Sequence, residues 1–510
     1  MTAFSVWPSA GYTGGMAESL WDVVIVGGGP AGLLSAGLCS RLRAADGSPI
    51  RVLLLEQGDR LGRKLLLTGS GRCNISNIGG DLLEASAKAP AALQEARAMA
   101  GCYHNFPAET AGHFDPIEPL GPARDLLTLF SRQPPSWIAR LLGAPQLLDI
   151  ELVEQAAGRL FPKSDSAREV RDALERFARK GDVQIRCNSR VADLQEAASS
   201  DGGSRGIEAI RLADGTRIAG RRFILATGGC NYPQTGSSGD GYNWLKLLGL
   251  DVLMPWPALV PILTKENWPA LVAGLALPQA GLSVCLQLPV CDGKPGRLLP
   301  VGKSGLGPLL FTHRGVSGPL ILNASAWLLR LARLLPDSPL AGSAIRLLID
   351  TQVAISQETL LQTLDRDCLD QPHRMVKTWV AGYLTQALAE VIVEKICGLA
   401  KESTLGHLPR QARLDVVDKL KALPLHYAGH EGYDSAISTA GGLQPREIDW
   451  KTMACKQIDN LHVLGDLLSL DRRSGGYSLL LCWAGAVAAA RGCEKSLGCT
   501  GLAQLLAGLE

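Results

Sequence analysis

Gly27, Gly29 and Gly32 stand in the spacing Gly-x-Gly-x-x-Gly, directly after an apolar run and directly before a stretch with helical apolar spacing. That pattern holds a dinucleotide by its phosphates. The first glycine permits a tight turn, the second lets the backbone approach a pyrophosphate, and the third lets helix and strand pack closely. Pro30 and Ala31 open the helix, where backbone N–H groups point at an anion. Glu56 ends the next apolar run and is placed to accept a hydrogen bond from a ribose hydroxyl, with Gln57 beside it. The fingerprint by itself does not separate NAD from FAD.

Two later features point to FAD. Ala226-Thr227-Gly228-Gly229 closes a buried run and resembles the cofactor-contacting strand end of flavoproteins, and Val191 joins the expected contacts. Gly465-Asp466 closes another and resembles a ribityl-binding segment, followed by a helix whose positive N-terminus, at Gly475, Gly476, Tyr477 and Ser478, would face the flavin pyrimidine edge. Arg63, Lys64, Thr68, Gly69, Arg72, Cys73 and Asn74 fill a polar, glycine-rich loop just beyond Glu56, the place for further cofactor contacts.

The elements that must position these residues are legible as periodicity. Asp22 to Val26 and Arg51 to Glu56 read as buried parallel strands flanking a helix over Leu33 to Leu42, one βαβ unit. Ala91 to Phe161 is mixed, with helical stretches and proline breaks. Ala167 to Lys180 is an amphipathic helix, and Val183 to Val191 a strand. Gly206 to Arg211 and Thr216 to Ile218, split by Ala213-Asp214-Gly215, form a hairpin. Phe223 to Ala226 and Leu461 to Leu464 are further buried strands. Prolines from Pro255 to Pro261 suggest a domain crossing, and Ser199 to Ser204 is a short Ser/Gly turn.

The expected fold is α/β: a discontinuous Rossmann-like FAD-binding domain with an inserted β-rich domain and a helical region. Its first part is placed at 20–254, the β-rich domain at 255–345, the helical region at 346–434 and the return segment at 435–495.

Composition sets the frame. A chain of 510 residues, 46% hydrophobic and 20% charged, has the make-up of a two- or three-domain globular enzyme. A net charge of +2 does not advertise a nucleic-acid binder, although a local basic face can hide in a neutral total. The 13 cysteines include no Cys-x-x-Cys, which argues against disulfide exchange and fits reduced thiols in a cytoplasmic protein. No membrane span, metal site or signal peptide is expected. Met16 is an alternative start. Oligomeric state is not readable.

The segment from Gly62 to Asn77, with its Gly-Arg-Lys-Leu-Leu-Leu-Thr-Gly-Ser-Gly-Arg-Cys-Asn core, closely resembles the hallmark loop of one group of NAD(P)/FAD-dependent oxidoreductases. The resemblance continues through Gly158 to Pro162, Tyr232 to Gly241, Pro257 to Pro261, Phe311 to Pro319 and Thr439 to Gly442, and ends at Gly465-Asp466 and Gly475-Gly476-Tyr477. It therefore spans from about residue 20 to about 490. Characterised members of that group include a bile-acid dehydro-reductase and a bacterial large-subunit ribosomal RNA dihydrouridine synthase. One departure is visible: Ser478-Leu479-Leu480 stands where the group usually has Asn, Leu and Gln.

The resemblance implies reduction of a carbon–carbon double bond, with NADH or NADPH as a transient reductant. The substrate is either uridine in ribosomal RNA or a small conjugated enone. A basic rim would favour RNA and an apolar, closed pocket the small molecule. No second Gly-x-Gly-x-x-Gly follows a strand, so no separate NADPH domain is expected. Cys73, His313 and Tyr477 are candidate proton donors, with Tyr232 as a further one. The alternative is a flavoprotein without turnover, a redox-responsive binding module or sensor.

Overall fold

A computed structural model describes residues 20–77, 103–104, 124–155, 158–197, 205–289, 296–337, 342–472 and 475–509. Met16, the Ser199 to Ser204 turn and much of the Ala91 to Phe161 stretch lie outside the described residues.

The two β-branched and leucine-rich runs become adjacent strands, Trp21–Val26 and Val52–Leu55, paired in parallel with Val23 opposite Val52 and Val26 opposite Leu55. Both are enclosed on each face, which is why they read as continuous rather than alternating apolar runs. Arg217–Leu225 lies on the other side of the first strand, and Leu461–Val463 beyond it, both parallel. Gln184–Arg186 completes the parallel set next to Val52–Leu55. Helices Pro30–Cys39, Ala167–Arg179 and Gly475–Leu497 cover the sheet, and their apolar faces share one core with the strands. The fold is the α/β, Rossmann-like one. Among the described residues no helix is long and apolar enough to cross a membrane.

The chain leaves the sheet after Leu225. Val252–Ala258 and Ser438–Leu443 run antiparallel and carry the outward and returning chain side by side. Between them a six-stranded barrel closes in the order Ile262–Thr264, Gly315–Ser317, Leu298–Thr312, Ala276–Gln287, Ala344–Asp350 and Leu423–His430.

One detail differs from the sequence reading. The span 255–345 contains a 16-residue helix, Pro319–Leu334, hidden behind a glycine-rich stretch that resembles a turn. Pro319 occupies its first turn, where proline costs no hydrogen bond and pre-sets the backbone. The helices between Gln357 and Lys421 do not form a separate body. They pack on the barrel in a single core, with Leu364, Trp379 and Val417 enclosed alongside Leu347 and Leu425.

Candidate functional site

The glycine-rich turn is built as its spacing demands. Gly27 has φ 108°, and a Cβ there would lie 2.4 Å from the Ala226 carbonyl oxygen. A Cβ on Gly32 would lie 1.9 Å from the Gly27 oxygen. Gly29 is different. Its φ of −77° suits any residue, and no protein atom lies within 4 Å of where its Cβ would stand. Neither backbone nor packing asks for glycine at 29. The vacant position borders a cleft of about 410 Å³, leaving the backbone there open to close approach by a ligand. The helix that follows has no side-chain cap at its N-terminus. Glu56 is fixed at the cleft wall, with Oε2 accepting from the Gly28 N–H at 2.8 Å and Oε1 from the Gly58 N–H at 2.7 Å.

Three side chains from the loop beyond Glu56 stitch it to the loop beyond Leu225. The Gln57 amide donates to the Gly236 carbonyl, Arg63 to the Gln234 carbonyl at 3.0 Å, and Lys64 Nζ to Asn231 Oδ1 at 3.0 Å. Asn231 is buried and held in turn, donating to the Ile437 carbonyl at 2.7 Å and accepting from Thr439 Oγ1 at 3.2 Å. Burial pulls the Lys64 ammonium below its usual pKa, with the nearby Asp466 acting in the opposite direction.

Gly465 and Asp466 form the far wall together with Gly476, Ser478 and Cys482. The Asp466 carboxylate accepts from Arg472, whose side chain is enclosed and also donates to Ser438 Oγ at 3.3 Å. Two hydroxyls on the cleft wall, Thr227 Oγ1 and Ser478 Oγ, are buried without a hydrogen-bond partner. A buried hydroxyl left so carries a desolvation cost, which a polar ligand would remove.

Of the residues expected to contact a cofactor, Gly27, Gly29, Pro30, Ala31, Glu56, Gln57, Arg63 and Lys64 line the cleft from one side. Thr68, Gly69, Asn74, Val191, Ala226, Thr227, Gly228, Gly465, Asp466, Gly476 and Ser478 line it as well. Gly32 and Gly229 do not line it. They serve packing behind it, and a Cβ on Gly229 would lie 2.4 Å from Thr439 Oγ1. Arg72 is turned away, pairing with Asp165 at 2.7 Å and lying over the Phe161 ring. Gly475 begins the long helix.

The proton-donor expectations need correction. Cys73 is enclosed in the core rather than on the cleft wall, and burial pushes its thiol up to about 12. A thiol so placed does not face a substrate in the cleft. Tyr477 likewise packs into the core. His313 is exposed in the turn between two barrel strands and does not line the cleft. Tyr232 does line it. Its φ of 53° is unusual for an aromatic residue. The turn is pinned by its N–H to the Tyr433 carbonyl at 3.0 Å and by Thr235, whose Oγ1 donates to the Tyr232 carbonyl at 2.7 Å.

Sequence reasoning assigned no role to Asn231, Ile437 or Cys482, all of which line the cleft. Asn231 stands two residues past Gly229, and that adjacency was the available signal. Around the rim, Arg63 lies 3.8 Å from Asp59 and Arg190 3.2 Å from Asp240. Among the described residues no group of three or more His, Cys, Asp and Glu could hold a metal ion.

The family model described as HI0933-like protein Rossmann domain matches residues 138–492. The ribosomal RNA dihydrouridine synthase of Haemophilus influenzae is 25% identical over 469 residues, covering 92% of this chain and 97% of that one. The ribosomal RNA dihydrouridine synthase of Escherichia coli is 27% identical over 474 residues, with 92% and 97% covered. The 3-dehydro-bile acid delta(4,6)-reductase of Clostridium scindens is 25% identical over 469 residues, again with 92% and 97% covered.

Proposed function

The chain belongs to the HI0933-like Rossmann-domain family of FAD-dependent oxidoreductases, and from that membership we propose that it reduces a carbon–carbon double bond using FAD, with NADH or NADPH as electron donor. The substrate is uridine in large-subunit ribosomal RNA or a small conjugated enone, a choice supported by relatives named as a ribosomal RNA dihydrouridine synthase and a 3-dehydro-bile acid delta(4,6)-reductase. Both offer an electron-poor alkene carbon.

The observation that carries the reading is the open Cβ position of Gly29, facing the cleft beside the uncapped helix at Pro30. A pyrophosphate is the group that such a glycine and helix N-terminus accommodate. Glu56 would hold the ribose, since each of its oxygens spends one lone-pair site on backbone and keeps another. Thr227 and Ser478 supply hydroxyls that lack partners without a ligand, and Asp466 would accept from the ribityl chain. When bound, the flavin supplies hydride chemistry, and the protein's part is binding, orientation and electrostatics.

A proton must follow the hydride. Tyr232 Oη would hold it on the cleft wall, because burial keeps the phenol protonated beyond its usual range. Tyr433 and Thr235 fix the turn that presents it.

The test is anaerobic mixing of the purified protein with NADH or NADPH while flavin absorbance is followed. Rapid bleaching supports the reductase, and ribosomal RNA and an enone panel then separate the substrates. Bound FAD that stays oxidised sinks the NAD(P)H-driven reading. Protein that neither carries nor takes up FAD sinks the assignment as a whole.

A further inference from the structure

Lys64 projects into the cleft from the loop beyond Glu56. Its ammonium donates to the neutral Asn231 Oδ1 at 3.0 Å and lies 3.5 Å from where a Cβ on Gly228 would stand. Among the described residues no carboxylate forms an ion pair with it. The acid that acts on it, Asp466, is already engaged by Arg472 at 2.7 Å. The cleft wall thus carries an ammonium on a neutral tether: burial disfavours its charge, and Asp466, nearby but not ion-paired with it, acts the other way.

The glycine turn and the helix N-terminus already provide donors for phosphates in the cleft. Lys64 itself stands where Gly228, Asn231 and Asp466 border the cleft. On the FAD reading above, that part of the cleft receives the flavin. Accepting a hydride from a nicotinamide adds two electrons and one proton to the ring. The ring, neutral before, becomes an anion unless a further proton arrives, and a cation placed beside it favours that anion.

We infer that the Lys64 ammonium, held by Asn231, is the counter-charge for the reduced flavin and raises its reduction potential. This rests on FAD being the bound cofactor. The work of Asn231 is to keep the ammonium aimed into the cleft, which a solvated lysine would not do at comparable entropic cost.

The test compares Lys64→Met, Lys64→Gln and Lys64→Arg with the parent, each purified with FAD and equilibrated anaerobically against a reference dye. The two neutral variants should retain FAD but show a ratio of reduced to oxidised flavin at least tenfold lower at the same potential. For a two-electron couple that is a shift of about 30 mV. Lys64→Arg should restore most of it. The inference is overturned if the neutral variants hold FAD at the parent's potential. It is also overturned if both lose FAD while Lys64→Arg keeps it, for then the ammonium serves to retain the cofactor. A parent protein that takes up no FAD would instead remove the premise, and this outcome is read directly from its absorbance.

Discussion

Arg472 reaches Asp466 through the interior of the protein: its Nη2 lies 2.7 Å from Oδ1, with the arginine side chain entirely enclosed and the aspartate nearly so. This pair fixes the carboxylate at the cleft wall and ties Gly465-Asp466 to the returning strand through Ser438. Removing one member of such a pair leaves a buried charge uncompensated, typically at a cost of about 3–5 kcal/mol. Arg472→Met should therefore lower the unfolding free energy by an amount in that range, read from the denaturant midpoint and slope. Asp466→Asn, which keeps an acceptor but leaves the enclosed guanidinium without its counter-charge, should cost a comparable amount.

The glycines of the turn should separate stability from binding. Gly29→Ala adds a methyl where no protein atom stands within 4 Å, so melting of the apoprotein should change little while FAD retention falls sharply. Gly32→Ala places its Cβ against the Gly27 oxygen and should destabilise the protein by roughly 1–3 kcal/mol with or without cofactor. Thermal melting and flavin content, measured on both, distinguish the two effects.

Asp471 gives a pH signature. Burial raises its carboxyl to about 6, above the usual carboxylate range, with Arg472 opposing the shift. The folded state then binds a proton more tightly than the unfolded chain. Stability contributed by the protonated form is complete below the unfolded pKa of about 4 and is lost as pH rises to about 6, amounting to about 3 kcal/mol at most. Asp471→Asn should relieve that loss. It should stabilise the protein at pH 7 to 8 and do little at pH 4, a difference that unfolding curves at the two pH values will register.

Tyr232→Phe should leave flavin reduction by the nicotinamide unchanged and slow substrate reduction by about 10²–10⁴-fold, the usual contribution of a positioned acid. Cys73→Ala, placed in the core, should leave turnover intact. Single-turnover measurement of the two half-reactions decides both. A Tyr232→Phe protein with full substrate turnover would rule out the phenol as donor.

The parts legible in the sequence were those set by short-range pattern. The apolar runs at Trp21–Val26 and Val52–Leu55 announce buried strands, and the three glycines announce the turn between strand and helix. Glu56 follows from its place at a strand end. What sequence could not supply were relations across long stretches of chain, such as Lys64 to Asn231 or Arg472 to Ser438. Cys73 illustrates a different limit. Its φ of 61°, in a kinked turn after Gly69 and Ser70 with positive φ, sends the thiol into the core, and no periodicity in a loop reveals that. The helix at Pro319–Leu334 was masked because the glycines before it served barrel strands and the proline began a helix.

The paired crossing at Val252–Ala258 and Ser438–Leu443 also orders events during synthesis. Phe223 finds its partner in Leu461, nearly half the chain later, and the sheet cannot be completed until that strand has been made. Pairing across such a separation is slow, and an unpaired strand edge meanwhile invites association with other chains. The barrel has no such wait. All its strands lie between Ile262 and His430, so it can close on itself while the nascent amino-terminal half still presents a bare edge at Phe223–Leu225.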